Sequence, residues 1–105
     1  MKKNIYLIKQ QDTSFYKIGF TKKDPIKRLK ELQTGNGNEL VLVKVFESYF
    51  SSKVERSLHL HFKNKSVNLE WFLLDENDLL EFDNLCIRYE ESFKFLKDHN
   101  HFFKD

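Results

Sequence analysis

Tyr6, Lys17, Arg28, Glu55 and His59 are the residues of this chain whose types and spacing suit phosphoryl chemistry. Tyr6 and Lys17 sit in neighbouring strand-like segments. A phenol beside an ammonium in a partly dry site is shifted below its reference pKa of about 10, the direction a general base needs. An aromatic core residue next to a solvent-facing lysine would read the same way. Taking Ile26 as origin and about 100° per residue, Arg28 falls at the margin of the Ile26–Leu29–Leu32 stripe. A half-buried guanidinium there suits a phosphate, because its planar fork matches the phosphate oxygens, although the same arginine can cover a helix edge with its stem. Glu55 and His59 stand at i and i+4 and share one helix edge. A single carboxylate completed by water and substrate phosphate is a common way to hold Mg²⁺. Ser52-Lys53-Val54-Glu55 also spells a capping box with Glu55 reaching back to Ser52, and His59 equally suits a helix-edge hydrogen bond. Gly19, inside a strand, marks a close approach by another backbone or a substrate.

The elements that must position these groups follow from periodicity and turn chemistry. Residues 4–10 read as a strand with Ile5 and Leu7 on one face and Tyr6 and Ile8 on the other. Asp12-Thr13-Ser14 turns the chain into a second strand, residues 16–21, in which Tyr16, Ile18 and Phe20 alternate with Lys17, Gly19 and Thr21. Asp24 and Pro25 open a helix as N-cap and first-turn proline, and Gly35-Asn36-Gly37-Asn38 ends it. Residues 40–47 read as a third, well-buried strand. Ser51 or Ser52 caps a helix reaching about Phe62, and a polar segment, residues 63–68, leads to a short strand at 70–74. Asp75 caps a last helix, whose seam Leu79, Phe82, Cys86, Tyr89, Phe93, Leu96 steps by threes and fours. The order predicts an α+β domain: a small three-stranded antiparallel sheet flanked by helices, with a C-terminal helix. Residues 1–82 are expected to form the domain proper, with 83–105 an acidic helical extension packed on it or on a dimer mate.

Composition narrows the classes. The 105 residues are 40% hydrophobic and include eleven Phe and four Tyr, which excludes a disordered chain and fits one domain. The lone Cys86 cannot form an internal disulfide, and it and four His lack a zinc-finger spacing. Apolar runs are too short for a membrane span or a signal h-region, so the expectation is an intracellular protein, cytoplasmic or nuclear, without a membrane partner. The net charge of +2 conceals an asymmetry. Fourteen Lys/Arg against seven Asp/Glu give residues 1–74 a charge of +7, while four against nine give residues 75–105 −5. Such a basic body suggests a polyanion partner, or else the two halves are simply solvated faces.

In order along the chain, Ile5-Tyr6-Leu7, Lys17-Ile18-Gly19, Arg28 within Lys27-Arg28-Leu29-Lys30-Glu31-Leu32-Gln33-Thr34-Gly35-Asn36, Glu55 four before His59, and Glu70-Trp71-Phe72 resemble the GIY-YIG nuclease superfamily. The likeness is to its small phage and viral branch, with KIG and EWF motifs, over about residues 4–82. It implies a DNA endonuclease that hydrolyses phosphodiesters with one Mg²⁺ (or Mn²⁺). Tyr6 matches the residue that activates water, Arg28 the one on the scissile phosphate, Glu55 the metal ligand and His59 an assisting histidine. Asn4 stands where the superfamily has glycine and Lys17 where it has its second tyrosine, which gives Lys17 an electrostatic helper's role. Tyr16 points to the opposite face unless the strand bulges. Asn64 and Asn68 are candidates for an asparagine beside the metal. DNA is the implied partner, held through Lys22, Lys23, Lys27, Arg28 and Lys30 by backbone contacts and so with low sequence specificity. The alternative is a catalytically silent nucleic-acid-binding module of the same fold. The final helix either completes the core, mediates a homodimer, or lays acidic surface near the basic site.

Overall fold

A computed structural model describes residues 1–99. The chain runs β1 (Lys3–Gln10), β2 (Phe15–Thr21), α1 (Pro25–Thr34), β3 (Leu40–Ser48), α2 (Ser51–His61), a 3₁₀ turn (Lys63–Lys65), β4 (Ser66–Asn68), β5 (Trp71–Leu73) and α3 (Glu76–His99). All strand pairings are antiparallel, and the sheet order is β3-β1-β2-β5-β4. The α+β class and the C-terminal helix are those the sequence indicates, but the sheet has five strands instead of three. β4 escapes periodicity because it is three residues long and exposed on both faces. β3 was expected to be well buried. It is the far edge of the sheet, and Val41, Val43 and Val45 are exposed there because β1 is its only neighbour.

β1 and β2 pair through six consecutive positions from Asn4↔Thr21 to Lys9↔Tyr16, with no bulge. That register separates two cores. Ile5, Leu7, Tyr16 and Ile18 face Val54, Leu58 and Phe62 of α2 and Phe82, Leu85 and Cys86 of α3. Tyr6, Ile8 and Leu40 face the other way, against Leu29, Leu32, Leu42 and Trp71. Tyr16 is thus a residue of the larger core, on the opposite face from Tyr6.

α1 starts as its sequence dictates: the Asp24 carboxylate accepts the Ile26 N–H at 2.9 Å, and Pro25 follows it. Ile26, expected in the apolar stripe, is 48% exposed, and Leu29 and Leu32 alone carry the packing. α3 opens with a reciprocal cap in which Asp78 N–H donates to Asp75 and Asp75 N–H donates to Asp78, both at 2.9 Å. The expected boundary at residue 82 falls inside this continuous helix, between core residue Phe82 and Asp83, which pairs with Lys44 at 2.7 Å. Farther on, Glu90 accepts from the Ser48 hydroxyl and from Tyr49 N–H, and Tyr89 and Phe93 pack on the core. The expected seam therefore lies on the domain through Phe93. Of the acidic extension, residues 100–105 lie outside the described residues. Among those described, no helix is long and apolar enough to cross a membrane.

Candidate active site

The site forms where one strand stops short of another. β5 pairs with β2 only from Phe15 to Lys17, which leaves the β2 edge open from Ile18 onward. Buried backbone groups must find partners, and residues from two segments, α2 and the turn before β5, supply them here. Ile18 N–H donates to the Glu70 carbonyl at 3.1 Å. The Ile18 carbonyl accepts from His59 Nε2 at 2.8 Å, and the imidazole packs on Phe72 with ring centroids 5.0 Å apart. The Phe20 N–H faces the Glu55 carboxylate.

This edge decides what Glu55 is for. The capping-box alternative fails: α2 begins at Ser51 with Phe50 as N-cap and no side-chain cap bond, and the Ser48 hydroxyl accepts the Phe50 N–H at 3.0 Å. Neither Ser51 nor Ser52 caps the helix. Burial pushes the Glu55 carboxyl above its ordinary value; His59 opposes the shift, Glu70 adds to it, and Lys17 and the Phe20 amide oppose it. Glu55 therefore lies in one electrostatic neighbourhood with His59, Glu70 and Lys17.

Lys17 is 8% exposed. Its ammonium makes an ion pair with Glu70 and lies 5.9 Å from the centre of the Trp71 ring. Lys17 and Gly19 share the face of β2 that carries Tyr6, whose backbone lies directly opposite Gly19. The Tyr6 ring rests across Gly19 so closely that a Cβ there would come within 2.5 Å of its Cζ and 3.0 Å of its Cε1. Gly19 is thus a floor for the phenol, and its φ is negative, so close approach rather than backbone shape demands glycine.

The Arg28 guanidinium meets that phenol. Its pKa is raised, chiefly by hydrogen bonding to Tyr6, with desolvation opposing and Glu31 adding a smaller share. Glu31 accepts from Lys23 at 2.6 Å and from Arg28 at 3.3 Å, and these cations, Lys23 foremost, hold its carboxyl below the usual range. Beside Arg28 opens a cleft of about 290 Å³ walled by Phe20, Thr21, Lys3, Lys22 and Lys23. Lys27 and Lys30 are exposed on α1 outside that lining.

Two groups thus meet along β2: Tyr6 with Arg28 over Gly19, and Lys17 with Glu70, Glu55 and His59 at the open edge. Asn64 lines a separate cavity with Ser14, Lys65 and Asp75, and Asn68 lines a groove beside Trp71. Neither the role of Glu70 nor that of Gly19 as the support for Tyr6 is legible in the sequence. The signal for the first was a lone acid directly preceding Trp71, whose strand neighbour is Lys17. Among the described residues no three His, Cys, Asp or Glu cluster as a closed metal cage. The donor set at Glu55, one carboxylate with a second acid in electrostatic range, instead fits a hard cation completed by water and phosphate oxygens. His59 has its Nε2 proton committed to Ile18, which leaves Nδ1 as the ring nitrogen outside that bond.

No curated protein and no solved structure matches the chain. The profile of the T5orf172 domain matches residues 3–88, a span holding every strand, α1, α2 and the first half of α3. The chain therefore belongs to the T5orf172 domain family, a phage-associated family related to GIY-YIG and HNH-like nucleases.

Proposed function

We propose that this protein is a divalent-metal-dependent DNA endonuclease that hydrolyses phosphodiester bonds in the GIY-YIG manner with little sequence preference. The observation that carries the reading is the placement of two groups along one strand, β2: a phenol with a guanidinium, and an ammonium in the electrostatic range of a half-buried carboxylate. Tyr6 takes the proton of the attacking water. Arg28, already beside the phenol, forks onto the phosphate oxygens where charge grows in the transition state. Lys17 adds fixed positive charge where it cannot be washed out by solvent, and Glu70 holds it in place. Glu55 holds the cation, Mg²⁺ or Mn²⁺, which when bound polarises the phosphoryl oxygen and stabilises the leaving group. His59 fixes the α2 edge against β2 and offers Nδ1 to the phosphate. Lys22 and Lys23, with Lys27 and Lys30 farther along α1, supply sequence-independent backbone contacts.

The test is nicking of supercoiled plasmid in Mg²⁺, in Mn²⁺ and in EDTA, with Tyr6→Phe, Arg28→Ala and Glu55→Gln alongside. Cleavage requires the metal and falls by at least about 10²-fold in each variant. A wild-type protein that binds DNA but makes no product under either metal refutes the nuclease and leaves a silent binding module. Cleavage indifferent to EDTA and to Glu55→Gln refutes the assignment of the metal ligand.

A further inference from the structure

The sheet face that carries Tyr6 and Lys17 continues into a second groove of different chemistry. It encloses about 330 Å³ and is walled by Gln10, Phe15, Asn36, Asn38, Asn68 and Trp71, with Val67 at its side. Phe15, Lys17 and Gly19 alternate along one face of β2, Trp71 pairs with Lys17, and Gln10 follows Tyr6 and Ile8 on β1. Lys17, with its ammonium 5.9 Å from the Trp71 ring centre, joins groove to site. Among the described residues no charged side chain lines the groove, whereas the cleft beside Arg28 has Lys3, Lys22 and Lys23 in its walls against the single acid Glu31. The far wall is pre-set. Gln33 Nε2 donates to the Asn36 carbonyl at 3.2 Å and the Asn38 carbonyl at 2.8 Å, while its Oε1 accepts the Leu40 N–H at 2.7 Å. Asn38 N–H in turn donates to Asn36 Oδ1 at 2.9 Å.

We propose that this groove is a nucleobase subsite, in which a base of the bound DNA strand lies against Trp71 and Phe15 and is read by the carboxamides of Asn38, Asn68 and Gln10. The division of labour is physical. Cationic clefts hold phosphates and carry no sequence information, whereas neutral carboxamides offer the donor and acceptor pairs that base edges match. Aromatic rings stack any base, so the groove adds a bias rather than strict specificity. Its volume is that of a small-ligand pocket, and a wall fixed before binding lowers the ordering cost. The inference rests on the proposed DNA substrate but not on cleavage.

Trp71 is the only tryptophan in the chain, so its emission reports on this groove directly. The intact protein in EDTA is titrated with a short single-stranded DNA and with an abasic strand of equal length, with anisotropy following binding and fluorescence following Trp71. Both strands bind with the same salt slope, but the base-bearing strand alone quenches Trp71, and Phe15→Ala weakens it about tenfold. Asn38→Ala changes the preference among homopolymer strands and leaves the salt slope alone, whereas Lys22→Ala lowers that slope by about 1. Equal quenching by the abasic strand, bound DNA that leaves the emission untouched, or an unchanged base preference in an Asn38→Ala/Asn68→Ala protein each overturns the subsite. Absence of any binding overturns it together with the DNA substrate. Plasmid nicking without quenching removes the subsite and keeps the nuclease, and quenching without nicking does the reverse.

Discussion

Gly19→Ala tests the construction of the site with one methyl group. The added Cβ would lie 2.5 Å from Tyr6 Cζ, where ordinary contact begins at 3.4 Å, so the ring must retreat by about 1 Å. Tyr6 is 2% exposed and packs with Ile8 and Leu40 against Leu29, Leu32 and Trp71, so it has no vacant space to retreat into. The displaced phenol leaves Arg28 and the position from which it would accept a proton. A misplacement of that size costs about 10²-fold in rate, and overpacking costs about 1–3 kcal/mol in stability. Single-turnover plasmid nicking measures the first, and thermal melting followed by circular dichroism measures the second. Gly35→Ala is the control, since nothing lies within 4 Å of its Cβ; it should keep the rate and stay within about 0.5 kcal/mol of wild type. Adding Gly19→Ala to Tyr6→Phe lowers the rate no further but still lowers the melting temperature, because the ring carbon that clashes remains. A Gly19→Ala protein that nicks within a few-fold of wild type would refute the placement of the catalytic phenol.

Three further outcomes follow from the same geometry. Burial raises the Glu55 pKa, so the folded state keeps that proton to higher pH than the unfolded chain does, and its contribution to stability is lost as pH rises through the folded pKa. Glu55→Gln should therefore melt at the same temperature as wild type or higher at neutral pH, with the difference closing in acid; a wild type that melts higher at neutral pH contradicts this. Glu70→Ala leaves the Lys17 ammonium, 8% exposed, without its carboxylate; with Glu70 itself 43% exposed, the loss is about 1–2 kcal/mol, and Lys17→Met in the same chain recovers most of it in a double-mutant cycle. Leu69 holds φ 41° with 86% of its surface exposed, so Leu69→Gly relieves left-handed strain and raises stability by about 1 kcal/mol in a denaturant titration; a less stable variant contradicts this.

Local chemistry was legible in the sequence. Alternation in residues 4–10 set Tyr6 against Ile5 and Leu7, and in residues 16–21 set Lys17 against Tyr16 and Ile18, because a strand's side-chain period is two whatever it packs against; the register between the strands then put Tyr6 and Lys17 on one face. Asp24 and Pro25 gave the start of α1, and the three-four spacing after Asp75 gave α3, since caps and helical stripes are written within a few residues. Tyr6, Lys17, Arg28 and Glu55 could each be named as chemically apt. Their contacts could not be read this way. The capping-box pattern at Ser52–Glu55 was a real local signal, and tertiary packing overrode it by carrying the carboxylate to the Phe20 amide.

Where β5 ends relative to β2 was equally invisible, since β4 is exposed on both faces and shows no pattern. That ending opens the strand edge at Ile18, which His59, Glu55 and the Glu70 backbone then fill. The Lys17–Glu70 pair joins residues 53 positions apart. Hydrogen-bonded turns and side-chain periods are set by near neighbours, and so the amino-acid order alone determined the longer elements and the alternation of faces within each strand. Which faces meet, and which edge is left open for a carboxylate to reach, depends on how distant segments share one core, and only the tertiary structure decided that.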